Sequence, residues 1–184
     1  MRLRHGTPFI YDDAGDIAGL RDPDGSELYL VPRLGVMFDT TTQTDGSGAV
    51  AMTFNTQAID RGVRVIDGSK IYVDRAALYE WQLSTHIHNA DSQAHIFTLW
   101  GRVNGVDIPN SRFIYSVPSS HGSNPGAVIP SQNFWLALKA GDYVQIMWAG
   151  ETADVTIAYH AAETGRPVSP SLLLTVKEIA PYGA

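Results

Sequence analysis

Cysteine is absent from the 184-residue chain. That excludes a disulfide framework, a thiolate zinc site and a cysteine nucleophile, and it suits folding in a reducing cytoplasm. No run of about 18 apolar residues occurs, so no helical membrane span is expected. The basic start, Met1-Arg2-Leu3-Arg4-His5-Gly6, has no apolar stretch behind it, so no secretory leader is expected either. Charge is scarce: Asp, Glu, Lys and Arg make up 17% of the chain, against roughly 25% in an average globular protein. The net charge is −6, which makes the chain a poor candidate for wrapping nucleic acid, since that needs clustered Lys and Arg. Catalytic signatures are missing too. There is no Gly-x-Ser-x-Gly elbow, no phosphate-binding Walker loop and no Gly-x-Gly-x-x-Gly. Asp12-Asp13-Ala14-Gly15-Asp16 lacks the downstream Glu of a calcium loop. The pairs Asp12/Asp13 and Asp22/Asp24 lie in turns and read as turn formers rather than a general acid–base pair. No enzyme and no cofactor are expected.

What the chain does have is period-two alternation. Hydrophobic residues make up 44%, enough for one sizeable core. In residues 78 to 88, Tyr79, Trp81, Leu83 and Ile87 point one way, and Glu80, Gln82, Ser84, His86 and His88 the other. Alternate side chains of a strand leave opposite faces, so this reads as a half-buried strand. Residues 142 to 148 repeat the pattern with Val144, Ile146 and Trp148 on one face. Further strands are expected at 35–38, 50–54, 63–66, 70–73, 95–103, 112–117, 133–138, 154–159 and 171–179. Asp45-Gly46, Asp67-Gly68, Asn104-Gly105 and Ala140-Gly141-Asp142 separate them, and such pairs accept the positive φ of tight turns. No sustained helical period appears. Many short strands at regular spacing predict an all-β sandwich, jelly roll or barrel.

Three features invite a functional reading. Residues 1–34 hold two small hairpin-like units, too small to be stable alone. They are either packed on their own domain or form an arm that docks on a partner. His86 and His88 share a strand face, and a turn at Asp91-Ser92 would bring His95 opposite His88. The preferred reading is a wet strand face with no metal; His86, His88 and His95 are the candidate ligands if one binds. Most of Trp81, Trp100, Trp135 and Trp148 are expected in the core. Tyr143, Gln145 and Met147 lie opposite a core face with no charge among them, which suits a subunit interface. Asp39-Thr-Thr-Thr-Gln-Thr44 with Asp45-Gly46-Ser47-Gly48, and Pro118 to Gly126, read as surface loops.

Several of these stretches, in order, resemble the C1q/TNF-like jelly-roll family in the version found among bacteriophage virion proteins. The carrying motifs are Ala77-Leu-Tyr79-x-Trp81-x-Leu83, Arg102-x-Asn104-Gly105-Val-Asp-Ile-Pro-Asn-Ser111, Leu138-Lys-Ala-Gly141-Asp142-Tyr-Val144-x-Ile146-x-Trp148 and Ser169-Pro-Ser-Leu172-x-Leu174-x-Val176. The opening Gly35-Val-Met-Phe38-Asp-Thr-Thr-Thr-Gln-Thr44 and Ala51-Met-Thr-Phe-Asn-Thr56 resemble the phage branch. The family's collagen-like stalk is missing, and Ala76-Ala77 stands where the family usually has Gly.

The resemblance implies an all-β, C1q/TNF-like jelly-roll sandwich with a short N-terminal arm, residues 1–34 being the arm and 35–184 the trimerisation domain. It implies a homotrimer, with Tyr143, Gln145 and Met147 as the expected interface. The expected function is a capsid cement or decoration protein that stabilises the phage head. Its arm would reach the major capsid protein through Phe9, Tyr11, Leu20, Leu28, Tyr29 and Leu30. The expected location is the outer capsid surface of the virion, after synthesis in the host bacterial cytoplasm, without direct contact to nucleic acid or membrane. The alternative is the receptor-binding knob of a head or tail fibre, with ligand contacts from distal loops such as Ser119 to Asn124.

Overall fold

The computed structural model describes residues 9–11, 17–21, 27–29, 31–44 and 48–181, and among these every regular element is a strand. In chain order they are β1 (Phe9–Tyr11), β2 (Ile17–Arg21), β3 (Glu27–Tyr29), β4 (Leu34–Asp39), β5 (Val50–Ala51), β6 (Thr56–Arg61), β7 (Val63–Ile66), β8 (Lys70–Val73) and β9 (Ala77–Thr85). They continue as β10 (Ile87–Asn89), β11 (His95–Val103), β12 (Val106–Asp107), β13 (Phe113–Val117), β14 (Gly126–Val128), β15 (Ser131–Leu138), β16 (Tyr143–Gly150), β17 (Val155–Ile157) and β18 (Leu172–Pro181). One sheet runs β15-β9-β18-β4-β6. A second runs β12-β11-β16-β8-β7, with β13 also on β11 and β5 also on β16. The short strands β14-β10-β17 form a third sheet, and β1-β2-β3 a fourth.

Alternation drives the two large sheets together. Tyr79, Trp81 and Leu83 of β9, Leu174 and Val176 of β18, and Met37 of β4 all leave the same face of the first sheet and are buried. Ile71 of β8, Phe97 and Leu99 of β11, and Val144, Ile146 and Trp148 of β16 meet them from the second. Ring pairs fill the layer between: Phe97 stacks on Trp148 at 5.5 Å, and Trp81 on Phe134 at 5.9 Å. Each fully buried large side chain contributes roughly 1.5–3 kcal/mol. Turns close the strands where the sequence allows positive φ. Asp67-Gly68 (φ 52° and 72°) joins β7 to β8, and Asn104-Gly105 (φ 50° and 84°) joins β11 to β12. Asp45-Gly46 and the turns around Asp12 and Asp22 lie outside the described residues.

Two expectations need correction. The strand expected over 78–88 is interrupted at His86, whose N–H donates to the Ser171 carbonyl (2.9 Å) and whose carbonyl accepts the Ala158 N–H (2.7 Å). The chain there leaves the five-stranded sheet and joins β14 and β17. Trp100 and Trp135 are also not core residues: Trp100 is half-exposed and Trp135 is 65% exposed. Trp135 faces outward because its register partner is Glu80, on the outer side of β9.

The sandwich is tied at one end by a buried ion pair. Glu178 Oε1 accepts from Arg75 Nη1 at 3.3 Å, and both side chains are buried. Its Oε2 accepts the Arg33 N–H (2.8 Å), while the Glu178 N–H donates to the Arg33 carbonyl (2.9 Å). Arg33 Nε pairs with Asp74 at 2.8 Å. The chain entering the sandwich is thus pinned at Arg33. Breaking a buried pair from one side leaves a charge without that partner. Glu178→Ala is therefore expected to lower stability by about 3–5 kcal/mol, read from the urea unfolding midpoint. A loss below about 1 kcal/mol would place the pair in the class of solvent-exposed bridges.

Candidate functional site

Tyr143, Gln145 and Met147 sit on the outer side of β16, but the chain itself covers them. Met147 is only 4% exposed and lies in register between Trp100 of β11 and Ala51 of β5. Gln145 Nε2–H donates to Ser69 Oγ (3.0 Å). The Tyr143 ring lies 5.2 Å from that of Tyr72, with Lys70 Nζ 5.7 Å from its centre. Neighbours within the chain account for the missing charge, and the premise of a solvent face fails at Met147.

The outer face of the five-stranded sheet mixes charged and polar side chains with several exposed apolar ones. In register across it run Trp135, Glu80, Lys177, Leu34 and Arg61. A second row places Leu173 beside Phe38. Val36 pairs with Ile59, and Trp135, Leu173, Ile59 and Ile179 are all exposed. A pocket of about 230 Å³ opens beside it, between β15 and the 108–113 segment, lined by Trp100, Ile108, Pro109, Phe113, Phe134 and Trp135. The sequence carried a signal for this face in Trp135 and Leu173, both at outward positions of alternating strands.

In the arm, β1, β2 and β3 form an antiparallel meander, with Phe9 opposite Leu20 and Leu20 opposite Leu28. Phe9 and Tyr11 are 50% and 59% exposed and meet edge to face at 6.4 Å. Leu20 is half-buried. Tyr29 pairs in register with Gly19. Leu30 lies outside the described residues.

The histidines regroup. His86 and His88 are joined by His160, which sequence reasoning did not single out, at ring separations of 5.6 and 4.8 Å. Its position becomes visible only through β17, whose end brings residue 160 back beside residue 86. His95 stands apart, because the 89–95 segment turns its ring toward acids rather than toward His88. Its Nε2 faces Asp91 Oδ2 at 2.8 Å, and its Nδ1 faces Glu151 Oε2 at 3.4 Å. The candidate trio of His86, His88 and His95 is therefore not assembled. Among the described residues, no group of three or more His, Asp or Glu side chains is placed to hold a metal ion.

The two groups of imidazoles titrate in opposite senses. Burial, and then the neighbouring His160, push the pKa values of His86 and His88 down. The hydrogen bond to Asp91, aided by Glu151, pushes that of His95 up.

No family model matches the chain, and no curated protein matches it. Solved structures do. Murine APRIL at pH 5.0 aligns with a TM-score of 0.54, and murine APRIL at pH 8.5 with 0.50. Each alignment has 12% identity and covers 81% of this chain and 100% of the APRIL chain. The fold is a TNF/C1q-like jelly roll. At this identity the likeness speaks for the fold alone.

A pH prediction follows from the imidazoles. For His86 and His88 the unfolded chain holds protons more tightly, so their contribution is present above about pH 6.5 and is lost as pH falls. For His95 the sign reverses: its contribution is full below about pH 6.5 and is lost as pH rises through its elevated folded value. Thermal melts between about pH 5 and pH 8 should show the acid-side loss reduced in His88→Asn. In His95→Gln the stability is expected to fall most on the acid side. Identical pH profiles for wild type and both variants would contradict these assignments.

Proposed function

We propose that the chain is a homotrimeric structural protein of a bacteriophage virion, a cement or decoration protein on the outside of the capsid. The carrying observation is that β1-β2-β3 form a sheet of their own, which leaves the ring pair Phe9 and Tyr11 exposed. So small a sheet has little core of its own and gains by docking. The partner in this reading is the major capsid protein. Added contact across shell junctions raises shell stability by linkage, because the protein binds the assembled state alone. No chemistry is required of it.

The jelly-roll fold and the exposed apolar side chains on the outer face of the five-stranded sheet support the trimer. We assign the subunit contact to that face, around Trp135, Leu173, Phe38 and Val36, in place of the Tyr143 face. Closure about a three-fold axis would bury it and leave no site for open-ended growth. Glu80 and Lys177, opposite each other in register, would set the orientation of the copies.

Two measurements test this reading. Mass photometry should find three copies of the 20.0 kDa chain together, and Trp135→Glu should shift the population to single chains. A wild-type monomer, or a Trp135→Glu protein that stays trimeric, removes the interface assignment. Deleting residues 1–30, which leaves Arg33 and β4 in place, should leave the trimer intact and abolish its binding to undecorated capsids. Full-strength binding by the truncated trimer removes the anchoring role.

A further inference from the structure

The end of the sandwich opposite the chain's entry at Arg33 has a cleft of about 340 Å³, at the small end of ligand-pocket sizes. Its floor is the outer side of the small sheet, where His88 pairs in register with Thr156. One wall is the 120–125 hairpin, with Ser120 and Ser123; the other is the turn carrying Asp154. We infer that this cleft binds a neutral, hydroxyl-rich ligand of the saccharide class.

The lining selects that class by elimination. No Lys or Arg lines the cleft, and Asp154 repels an anion. Only one carboxylate is present, too few for a resident metal ion. The apolar lining is limited to small groups such as Ala90 and Pro125, which offer little to a greasy ligand. Three hydroxyls remain, each able to donate and accept, with a carboxylate that accepts from adjacent ligand hydroxyls. The His88 ring is kept neutral by its burial and by His160, so it also offers one donor and one acceptor.

Both walls are fixed before any ligand arrives. Asn89 is fully buried, and its Nδ2–H₂ donates to the carbonyls of Gln93 (2.7 Å) and Pro118 (3.0 Å) while its Oδ1 accepts the Asp91 N–H (3.0 Å). The Ser120 N–H donates to the Asp91 carbonyl (2.7 Å). His121 and Asn124 exchange backbone hydrogen bonds at 2.8 and 3.1 Å around Gly122, whose φ is +60°. On the other wall, the Asp154 carbonyl accepts the Ala90 N–H (3.1 Å). A preorganised site spends little binding free energy on ordering itself.

The strand register sets where this cleft points. Arg33 enters the sandwich beside Glu178, near the start of β9 at Ala77. The cleft lies past the other end of β9, beyond Thr85. The extended path from Ala77 to Asn89 is about 40 Å at ~3.3 Å per residue. If the arm holds the shell, the cleft faces the medium; only this orientation rests on the proposed function.

The test uses the purified full-length protein, without capsids, so its failure is separate from a failure of shell binding. The probes are the methyl glycosides of glucose, galactose, mannose and N-acetylglucosamine, followed by saturation-transfer NMR and calorimetry. Inorganic phosphate is the anionic control. Saturable binding of at least one glycoside is expected, with no binding of phosphate. Asp154→Ala and Thr156→Val should each weaken it about tenfold, the effect of losing one good hydrogen bond. Lys139→Ala, at the Arg33 end, should leave it unchanged. The inference is overturned if no glycoside binds the folded protein or if phosphate binds instead. Glycoside binding that survives undiminished in both cleft variants overturns it equally.

Discussion

Strand β9 is hydrogen-bonded along both edges, to β15 and to β18, and one of its faces is fully buried. This double pairing sets the geometry of the molecule. Once Ala77, Tyr79, Trp81, Leu83 and Thr85 face inward, the register carries the same choice to every neighbour in the sheet. A one-residue slip would turn Trp81 to solvent and bury Glu80. The arrangement has a cost. The indole N–H groups of Trp81 and Trp148 are buried without a hydrogen-bond partner, a loss of about 1–3 kcal/mol each. Ring stacking on Phe134 and Phe97 and the burial of the rings offset it.

The same register separates the two ends of the sandwich by chemistry. At one end charged side chains are paired, Arg75 with Glu178 in the interior and Arg33 with Asp74 nearer the surface, and they hold the entering chain against β18. At the other end, neutral polar groups dominate, and His95 clamps two loops through Asp91 and Glu151. The outer face of the five-stranded sheet runs along the strands rather than across either end.

Much of this was legible in the chain. The strands expected at 63–66, 70–73 and 95–103 match β7, β8 and β11 residue for residue, because each alternates and is bounded on one side by a turn that needs positive φ. The edge strand β6 was not legible. Thr56–Arg61 carries no alternation, since its ladder is made of backbone groups that any sequence supplies. The candidate sites were harder still. His160 lies 72 positions from His88 in sequence, and only the pairing of β10 with β17 brings them together. Met147 looked exposed because alternation describes one strand at a time and is blind to Val50–Ala51 arriving beside it. Trp135 misled in the opposite direction: a large ring on a strand suggested core, whereas its register places it outside.

One tight contact separates what can change from what cannot. A Cβ added at Gly126 would sit 1.8 Å from the Pro118 carbonyl oxygen, so the base of the 118–126 hairpin admits glycine alone. At its tip only Gly122, with φ +60°, shares such a restriction, and positions 119, 121, 123 and 124 are exposed. The hairpin therefore works as a fixed socket with an interchangeable head. Randomising those four positions while keeping Gly122 and Gly126 would give a display library on a cysteine-free scaffold, in which new specificities need not disturb the core.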